Sequence, residues 1–361
     1  MDAIVRDVIC PELYHDLSAI ADMDCFRDIH NQRFLVTGGS GFIAYHMVLT
    51  LLLLNDVKQS GNTVTILVRN RMNAERRYGV LIGRKDLRIL LQDVCEPIPE
   101  SAESFDYIIH AAGAADAKHF EDDPIGVFNS NVIGTERMID FIRRRPCKNM
   151  LYVSSFTIYG RGTEKLPEVT EDYRGGDDWS TNASCYAMGK RSAEFLCMAA
   201  VRKYGCSIRI IRPGFVYGSS SPRDNRVYSE IIMNAAAEQP IELRSPGMLF
   251  RSMIYVTDVV RGVFQILFCG QDGEAYNAAN EFVSIRGFAE AAVAAINIPS
   301  VTLRFANPED ANVVHEGIPG GAISSDKLRG IGWEPMIPLK TGIYNGIQVF
   351  RSSYPEACGI K

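Results

Sequence analysis

RFLVTGGSGFIAYHMVLTLLLLN, residues 33–55, is a short strand-forming run (Arg33 to Thr37), a glycine-rich turn (Gly38-Gly39-Ser40-Gly41) and then a helical pattern from Phe42 to Asn55. In the spacing Gly38-x-x-Gly41-x-x-Ala44, Gly38 permits a tight turn, Gly41 lets the backbone approach a pyrophosphate, and Ala44 keeps helix and strand close. Backbone N–H groups at the helix start, those of Phe42 and Ile43, then face the phosphates, where the helix dipole favours negative charge. A glycine-rich turn by itself is weak evidence. One that follows a strand and opens a helix has the context that dinucleotide binding requires, against the plainer reading of a structural strand-to-helix turn. The run Met47 to Leu54 is the most apolar in the chain, too short to span a bilayer, and reads as a buried helix.

Downstream, strands and helices alternate, which predicts a doubly wound α/β Rossmann sheet. Thr63 to Val68 reads as the second strand, and Arg69-Asn70-Arg71 follow it where an NAD site usually carries an acidic residue for the ribose hydroxyls. Arginine there pairs with a 2′-phosphate, so the reading leans towards NADP; the alternative is a pair of solvated loop arginines. A third strand, Leu87 to Leu91, leads to Asp93-Val94, where Asp93 is placed to accept a hydrogen bond from adenine. A fourth, Tyr107 to His110, runs into Ala111-Ala112-Gly113, small residues across which a cofactor can lie. His110 itself reads as a satisfied, half-buried residue.

Val127 to Arg144 has a clear helical period with Asn131 near its start, and Met150 to Ser154 reads as the fifth strand. Ser154-Ser155-Phe156-Thr157 follows at the carboxyl end of that strand, where ligands bind in such sheets; for an isolated Ser-Ser, turn chemistry would be the default. The stretch NASCYAMGKRSAEFLCMAAVRKYG, residues 182–205, reads as a helix with Tyr186 and Lys190 on one face. An ammonium beside a phenol favours the phenolate and lowers a pKa that is otherwise about 10, making Tyr186 a proton carrier at neutral pH. By itself such a pair occurs by chance in many amphipathic helices.

The bulk properties are those of a globular protein: 361 residues, 47% hydrophobic and 22% charged. A net charge of −5 argues against nucleic-acid or membrane-surface partners. Nine cysteines, odd in number and without a C-x-x-C, suggest neither a disulfide framework nor a zinc site, so no metal is expected and a reducing cytoplasm fits best. The N-terminal stretch lacks the basic start and continuous apolar core of a signal peptide. The expected organisation is a helical extension over 1–32, a nucleotide-binding domain over 33–212, and an intertwined substrate domain over 213–361. The acidic, glycine-containing segment 164–181 reads as a surface loop.

The ordered set TGGSGFIA (37–44), Asp93, HAAG (110–113), NVIGT (131–135), SSFTIYG (154–160) and YAMGK (186–190) resembles the extended short-chain dehydrogenases/reductases that act on nucleotide sugars. RPGFVYG (212–218), RSMIYVTD (251–258) and LRGIGWEP (328–335) continue the resemblance, which covers about residues 33 to 345. The resemblance implies that Ser155, Tyr186 and Lys190 form the catalytic triad, with Asn131 supporting the lysine through an ordered water. It also implies that Gly38, Gly41, Phe42, Ile43, Arg69, Asn70, Asp93, Val94, Ala111, Ala112, Gly113, Tyr186, Lys190 and Pro213 meet a tightly bound NAD or NADP. A nucleotide-diphosphate sugar would be the substrate, and a homodimer would form through the helices bearing Val127 and Tyr186.

Within that family the chain departs in two places. Dehydratases and decarboxylases typically carry an acidic residue where this chain has Thr157, which instead resembles the 4-epimerases, although the sequence flanking Tyr186 is closer to the decarboxylase and dehydratase branches. An asparagine near the substrate diphosphate is replaced by Phe215, so the anchoring falls on Arg251, with Arg223 and Arg226 as weaker candidates. Ser155, Thr157, Tyr186, Phe215 and Arg251 are the expected substrate contacts. The favoured reading is a nucleotide-sugar 4-epimerase working through a transient 4-keto sugar. Alternatives are a 4,6-dehydratase or decarboxylase, a keto-sugar reductase, or a non-catalytic nucleotide-sensing Rossmann protein.

Overall fold

The computed structural model describes residues 3–99, 102–113, 117–160, 162–163, 166–176, 180–305 and 321–359. Its centre is a seven-stranded, wholly parallel sheet of β1 (Arg33–Thr37), β2 (Thr63–Val68), β3 (Leu87–Leu91), β4 (Tyr107–His110), β5 (Asn149–Val153), β6 (Ile208–Pro213) and β10 (Ala275–Ala278). The spatial order is β10-β6-β5-β4-β1-β2-β3. Strand order reverses between β1 and β4, and the crevice outside the carboxyl ends of those strands is where such sheets bind ligands. The seventh strand comes from beyond residue 213, so the central sheet draws on both sides of the boundary expected there.

Helices cover both faces: α2 (Phe42–Lys58), α3 (Arg71–Tyr78), α5 (Pro124–Arg144), α6 (Ser184–Tyr204) and α8 (Val256–Cys269), with the short α4 (Ala117–Asp122) leading into α5. The unbroken apolar run of α2 has a tertiary cause. One side packs on β1 and β2, and the N-terminal α1 (Pro11–Ala21), together with α8, covers the other. Leu51, Leu52, Leu53 and Leu54 are all buried, as are Leu13, Leu17 and Ile20 of α1. Hydrogen bonds that fasten the extension include Val5 N–H to Asp56 (2.8 Å), Lys58 to the Ala21 carbonyl (2.6 Å) and Arg84 to the Ala3 carbonyl (2.6 Å).

The smaller part combines a three-stranded sheet, β7 (Phe215–Tyr217), β9 (Phe250–Tyr255) and β11 (Glu281–Ser284), with a parallel pair, β8 (Ile241–Leu243) and β12 (Leu303–Phe305). Around these pack α7 (Val227–Ala236), α9 (Ile285–Ile296), the single turn α10 (Asp326–Arg329) and α11 (Leu339–Ser353). The 251–258 and 328–335 stretches meet here. Trp333 Nε1 donates to the Asp258 carbonyl (3.1 Å), while the Asp258 carboxylate accepts the N–H groups of Met336 (2.8 Å) and Ile337 (3.1 Å). Asp258 and Trp333 therefore serve the fold.

The segment read as a surface loop is partly tied down, because backbone pairing outweighs its polar composition. Val169 is buried and exchanges hydrogen bonds with Ala322 and Ser324, and Glu171 accepts the Asn277 N–H (2.7 Å). Glu164, Lys165, Asp177, Asp178 and Trp179 lie outside the described residues. No described helix is long and apolar enough to cross a membrane, and no cluster of metal-ligating side chains occurs among the described residues. All nine cysteines are free thiols.

Candidate active site

The glycine turn is built for close approach. Gly38 has φ +66°, and a Cβ there would lie 2.8 Å from Ala112 Cα and 3.0 Å from the Ala111 carbonyl oxygen, so only glycine lets β1 turn against the end of β4. Gly41 is the N-cap of α2 and brings no side-chain acceptor; the first turn holds no acidic residue either. Hence the N–H groups of Phe42 and Ile43 are offered to an anion, at the positive end of the helix.

At the end of β4, His110 is buried and joins three elements. Thr37 Oγ1 accepts the N–H groups of Ala111 and Ala112 (both 3.1 Å), which leaves its own proton for His110 Nδ1 (2.8 Å). Nε2–H then donates to Thr135 Oγ1 (3.1 Å), which donates to the Asn131 carbonyl (2.5 Å). The network assigns the neutral Nε2–H tautomer. Burial, assisted by the Lys190 charge, lowers this imidazole to about 3. His110 is structural.

Ser155, Tyr186 and Lys190 lie beyond the carboxyl ends of β4 and β5. The Ser155 hydroxyl accepts from the N–H (3.2 Å) and hydroxyl (3.0 Å) of Thr157 and favours the ionised form of the Tyr186 phenol. Lys190 is buried; its Nζ donates to the Val153 carbonyl at 2.7 Å and lies 5.7 Å from the Tyr186 ring centre. Asn131 donates through Nδ2 to the Val127 carbonyl (2.8 Å), but its buried Oδ1 has no partner among the described residues. A Cβ on Gly113 would stand 3.1 Å from that oxygen and 3.5 Å from Lys190 Nζ, so glycine keeps open the space in front of both.

The expectation that Lys190 acidifies Tyr186 is corrected for the protein alone. Burial dominates both groups, disfavouring either charged form: it raises the phenol to about 12 and lowers the ammonium to about 7. Ser155 and Arg226 oppose the first effect, Glu194 the second. No described carboxylate acts on the phenol.

A family model, the NAD dependent epimerase/dehydratase family, matches residues 34–279, a span that includes the glycine turn, Ser155, Tyr186, Lys190 and Arg251. The chain belongs to this family. Curated relatives include UDP-glucuronic acid decarboxylase 1 of Danio rerio, 28% identical over 323 residues, 88% of this chain and 72% of the relative. UDP-glucuronic acid decarboxylase 6 of Arabidopsis thaliana is 30% identical over 321 residues, 87% of each chain. Among solved structures, UDP-glucuronic acid 4-epimerase of Bacillus cereus, in complex with UDP-glucuronic acid and NAD, aligns with a TM-score of 0.71 at 20% identity, covering 89% of this chain and 100% of the other. The dTDP-glucose 4,6-dehydratase of Bacillus anthracis, in complex with NAD, gives 0.72 at 19%, covering 90% and 97%. At such identities the structures establish a shared fold.

As a member of the epimerase/dehydratase family, the chain has the residues to receive a nicotinamide dinucleotide: the uncapped start of α2, the Cβ-free space at Gly113 and the unpartnered Asn131 Oδ1 all fit one. Of the residues expected to meet the adenosine end, Arg69 is largely exposed and 3.8 Å from Asp93 Oδ2, and Arg71 is 3.7 Å from Glu75. Asn70 is the N-cap of α3, accepting the Asn73 N–H (3.1 Å), and Asp93 Oδ1 accepts the Cys95 N–H (2.8 Å). Both side chains therefore have structural bonds. Val94 is buried against Gly134 of α5, and Pro213 is buried at the end of β6.

Of the residues expected to meet substrate, Arg251 is buried and has no carboxylate partner among the described residues. Its guanidinium lies 5.2 Å from the Phe215 ring, and Nη1 donates to the Phe250 carbonyl (2.9 Å). Arg223 is exposed, and Arg226 is already gripped by Asp224 and bonded to the Tyr228 hydroxyl (3.1 Å). Sequence reasoning missed Phe120, which stacks on Tyr186 with ring centres 5.3 Å apart, and the effect of Arg226 on the phenol. Neither has a local signal, because both are long-range contacts.

Proposed function

We propose that this protein is a nucleotide-sugar 4-epimerase that works through a transient 4-keto sugar. The observation that supports it most directly is the hydroxyl cluster of Ser155, Thr157 and Tyr186, with Lys190 behind it and no described carboxylate acting on the phenol. Ser155 orients the sugar hydroxyl, and Tyr186 takes its proton as the C4–H bond breaks. Bound NAD or NADP supplies the acceptor for the C4 hydride and, at its oxidised ring, a positive charge that offsets the burial of the phenol. Lys190, held by the Val153 carbonyl with Nζ 5.7 Å from the ring centre, presents its charge to the tyrosine. Arg251 grips the diphosphate while the sugar turns, so that hydride returns to the opposite face. Proton abstraction at C5 with loss of the 6-hydroxyl, as dehydration requires, has no described acid or base beside Ser155.

The relatives favour a second reading, decarboxylation of a nucleotide-linked uronic acid. Its chemistry is compatible with Thr157, since a 4-keto uronic acid is a β-keto acid whose carboxylate leaves without a protein base. Incubation with UDP-glucose and with UDP-glucuronic acid, followed by NMR, separates the two. Accumulation of the C4 epimers supports epimerisation; a pentose product with release of carbon dioxide replaces it, and a 6-deoxy-4-keto sugar overturns both.

For the cofactor we infer NADP, from Arg69 and Arg71 where an acidic residue would bind ribose hydroxyls. Mass spectrometry of whatever denaturation releases from purified protein distinguishes NADP from NAD. We also propose a homodimer paired through α5 and α6, and light scattering at the mass of one chain would refute it.

A further inference from the structure

Lys190 is 4% exposed and touches no carboxylate; its one hydrogen-bond acceptor among the described residues is the Val153 carbonyl. A bare ammonium so placed loses its hydration and tends to shed its proton. Two features oppose that loss. The Tyr152 ring on β5 lies 4.9 Å from Nζ, its negative face towards the cation, in a desolvated setting where such contacts are strongest. One helical turn beyond Lys190 stands Glu194, also 4% exposed and immobilised by Arg212 at 2.7, 3.0 and 3.2 Å. Arg212 is in turn fixed by the Tyr159 hydroxyl (3.0 Å) and the Glu171 carbonyl (3.2 Å).

The remaining groups facing Lys190 supply no negative charge. On α6 these are the Tyr186 phenol and the Cys197 thiol, both raised by burial and neutral. From β4 comes neutral His110, and from α5 the uncharged Asn131. Arg212 on β6 is bonded to Glu194, so its positive charge offsets part of what that carboxylate offers the lysine.

We propose that Tyr152 and Glu194 are positioning residues that keep Lys190 protonated at working pH, the first through its ring face and the second through a carboxylate fixed by Arg212. The proposal rests on the reading above that Lys190 acts as a cation beside Tyr186. The Tyr152 hydroxyl lies near that of Thr135 without hydrogen-bond geometry to any described group, so the ring, not the hydroxyl, has the role.

The test uses [ε-13C]lysine-labelled full-length protein. The resonance of Lys190 is identified by its disappearance in Lys190→Met and titrated by NMR, and the pH profile of turnover is measured in parallel. Tyr152→Phe should titrate like the native protein. Tyr152→Leu and Glu194→Gln should lower the midpoint by about one pH unit, a tenfold loss of proton affinity, and the alkaline limb of turnover should move down with it. Should Glu194→Gln fail to fold because Arg212 is stranded, Glu194→Met with Arg212→Met removes both charges together and should lower the midpoint in the same direction by a smaller amount. An unmoved midpoint in Tyr152→Leu and in the double variant overturns the proposal even if Lys190→Met is inactive. Undiminished turnover in Lys190→Met would instead overturn the catalytic reading.

Discussion

Replacing Arg251 with methionine should separate a cation kept for a ligand from one kept for the fold. Arg251 is 6% exposed, has no described carboxylate partner, and burial alone pulls its pKa below the usual arginine value. In the protein by itself its charge is a cost. Methionine keeps much of the stem volume, removes that cost, and gives up the contact with Phe215 and one bond to the Phe250 carbonyl, each worth about 1 kcal/mol. Opposing terms of similar size leave unfolding free energy nearly unchanged. Arg212→Met is the control: it strands the buried Glu194 carboxylate and should cost about 3–5 kcal/mol. Ligand binding should change the other way. Charge-assisted bonds to phosphate are worth about 1.5–3 kcal/mol, so Arg251→Met should weaken UDP or dTDP binding by roughly 10- to 150-fold. Urea denaturation and isothermal titration calorimetry measure the two quantities. Destabilisation as large as that of Arg212→Met, with unchanged nucleotide affinity, would refute the assignment of Arg251 to the diphosphate.

Three further outcomes are expected. Tyr186→Phe keeps the stack on Phe120 but removes the proton carrier, so turnover should fall by about 10²- to 10⁴-fold with cofactor binding retained; cofactor fluorescence and product NMR check this. Arg69→Asp should reverse the cofactor preference, raising NAD affinity relative to NADP, and competitive binding of the two dinucleotides would reveal an arginine that is only solvated. Asp258 is raised by burial from 3.8 to about 6. Its native state thus binds the proton more tightly than the unfolded chain, and the group's contribution to stability is lost as pH rises from about 4 to about 6, roughly 3 kcal/mol in all. Asp258→Asn should flatten that part of the curve in urea titrations between those pH values; Asp16, also raised to about 6, keeps its own share.

Residue order alone made legible the strand, glycine turn and helix at 33–55, the strand-helix alternation after it, and the placing of Tyr186 and Lys190 one turn apart. These are local matters: glycine conformational freedom, apolar period and i, i+4 spacing act within a few residues. Even the departure at Thr157 was legible, since it is a single position in a fixed frame. Tertiary structure decided the electrostatics. Tyr186 and Lys190 were adjacent on paper, yet burial outweighs their mutual influence, and the desolvation of a group depends on every element packed around it. Arg251 and Arg212 are both arginines at strand positions; only the packing shows that one is paired with Glu194 and the other has no carboxylate beside it. The same holds for Leu51 to Leu54, which are apolar all round because α1 covers the face of α2 turned away from the sheet.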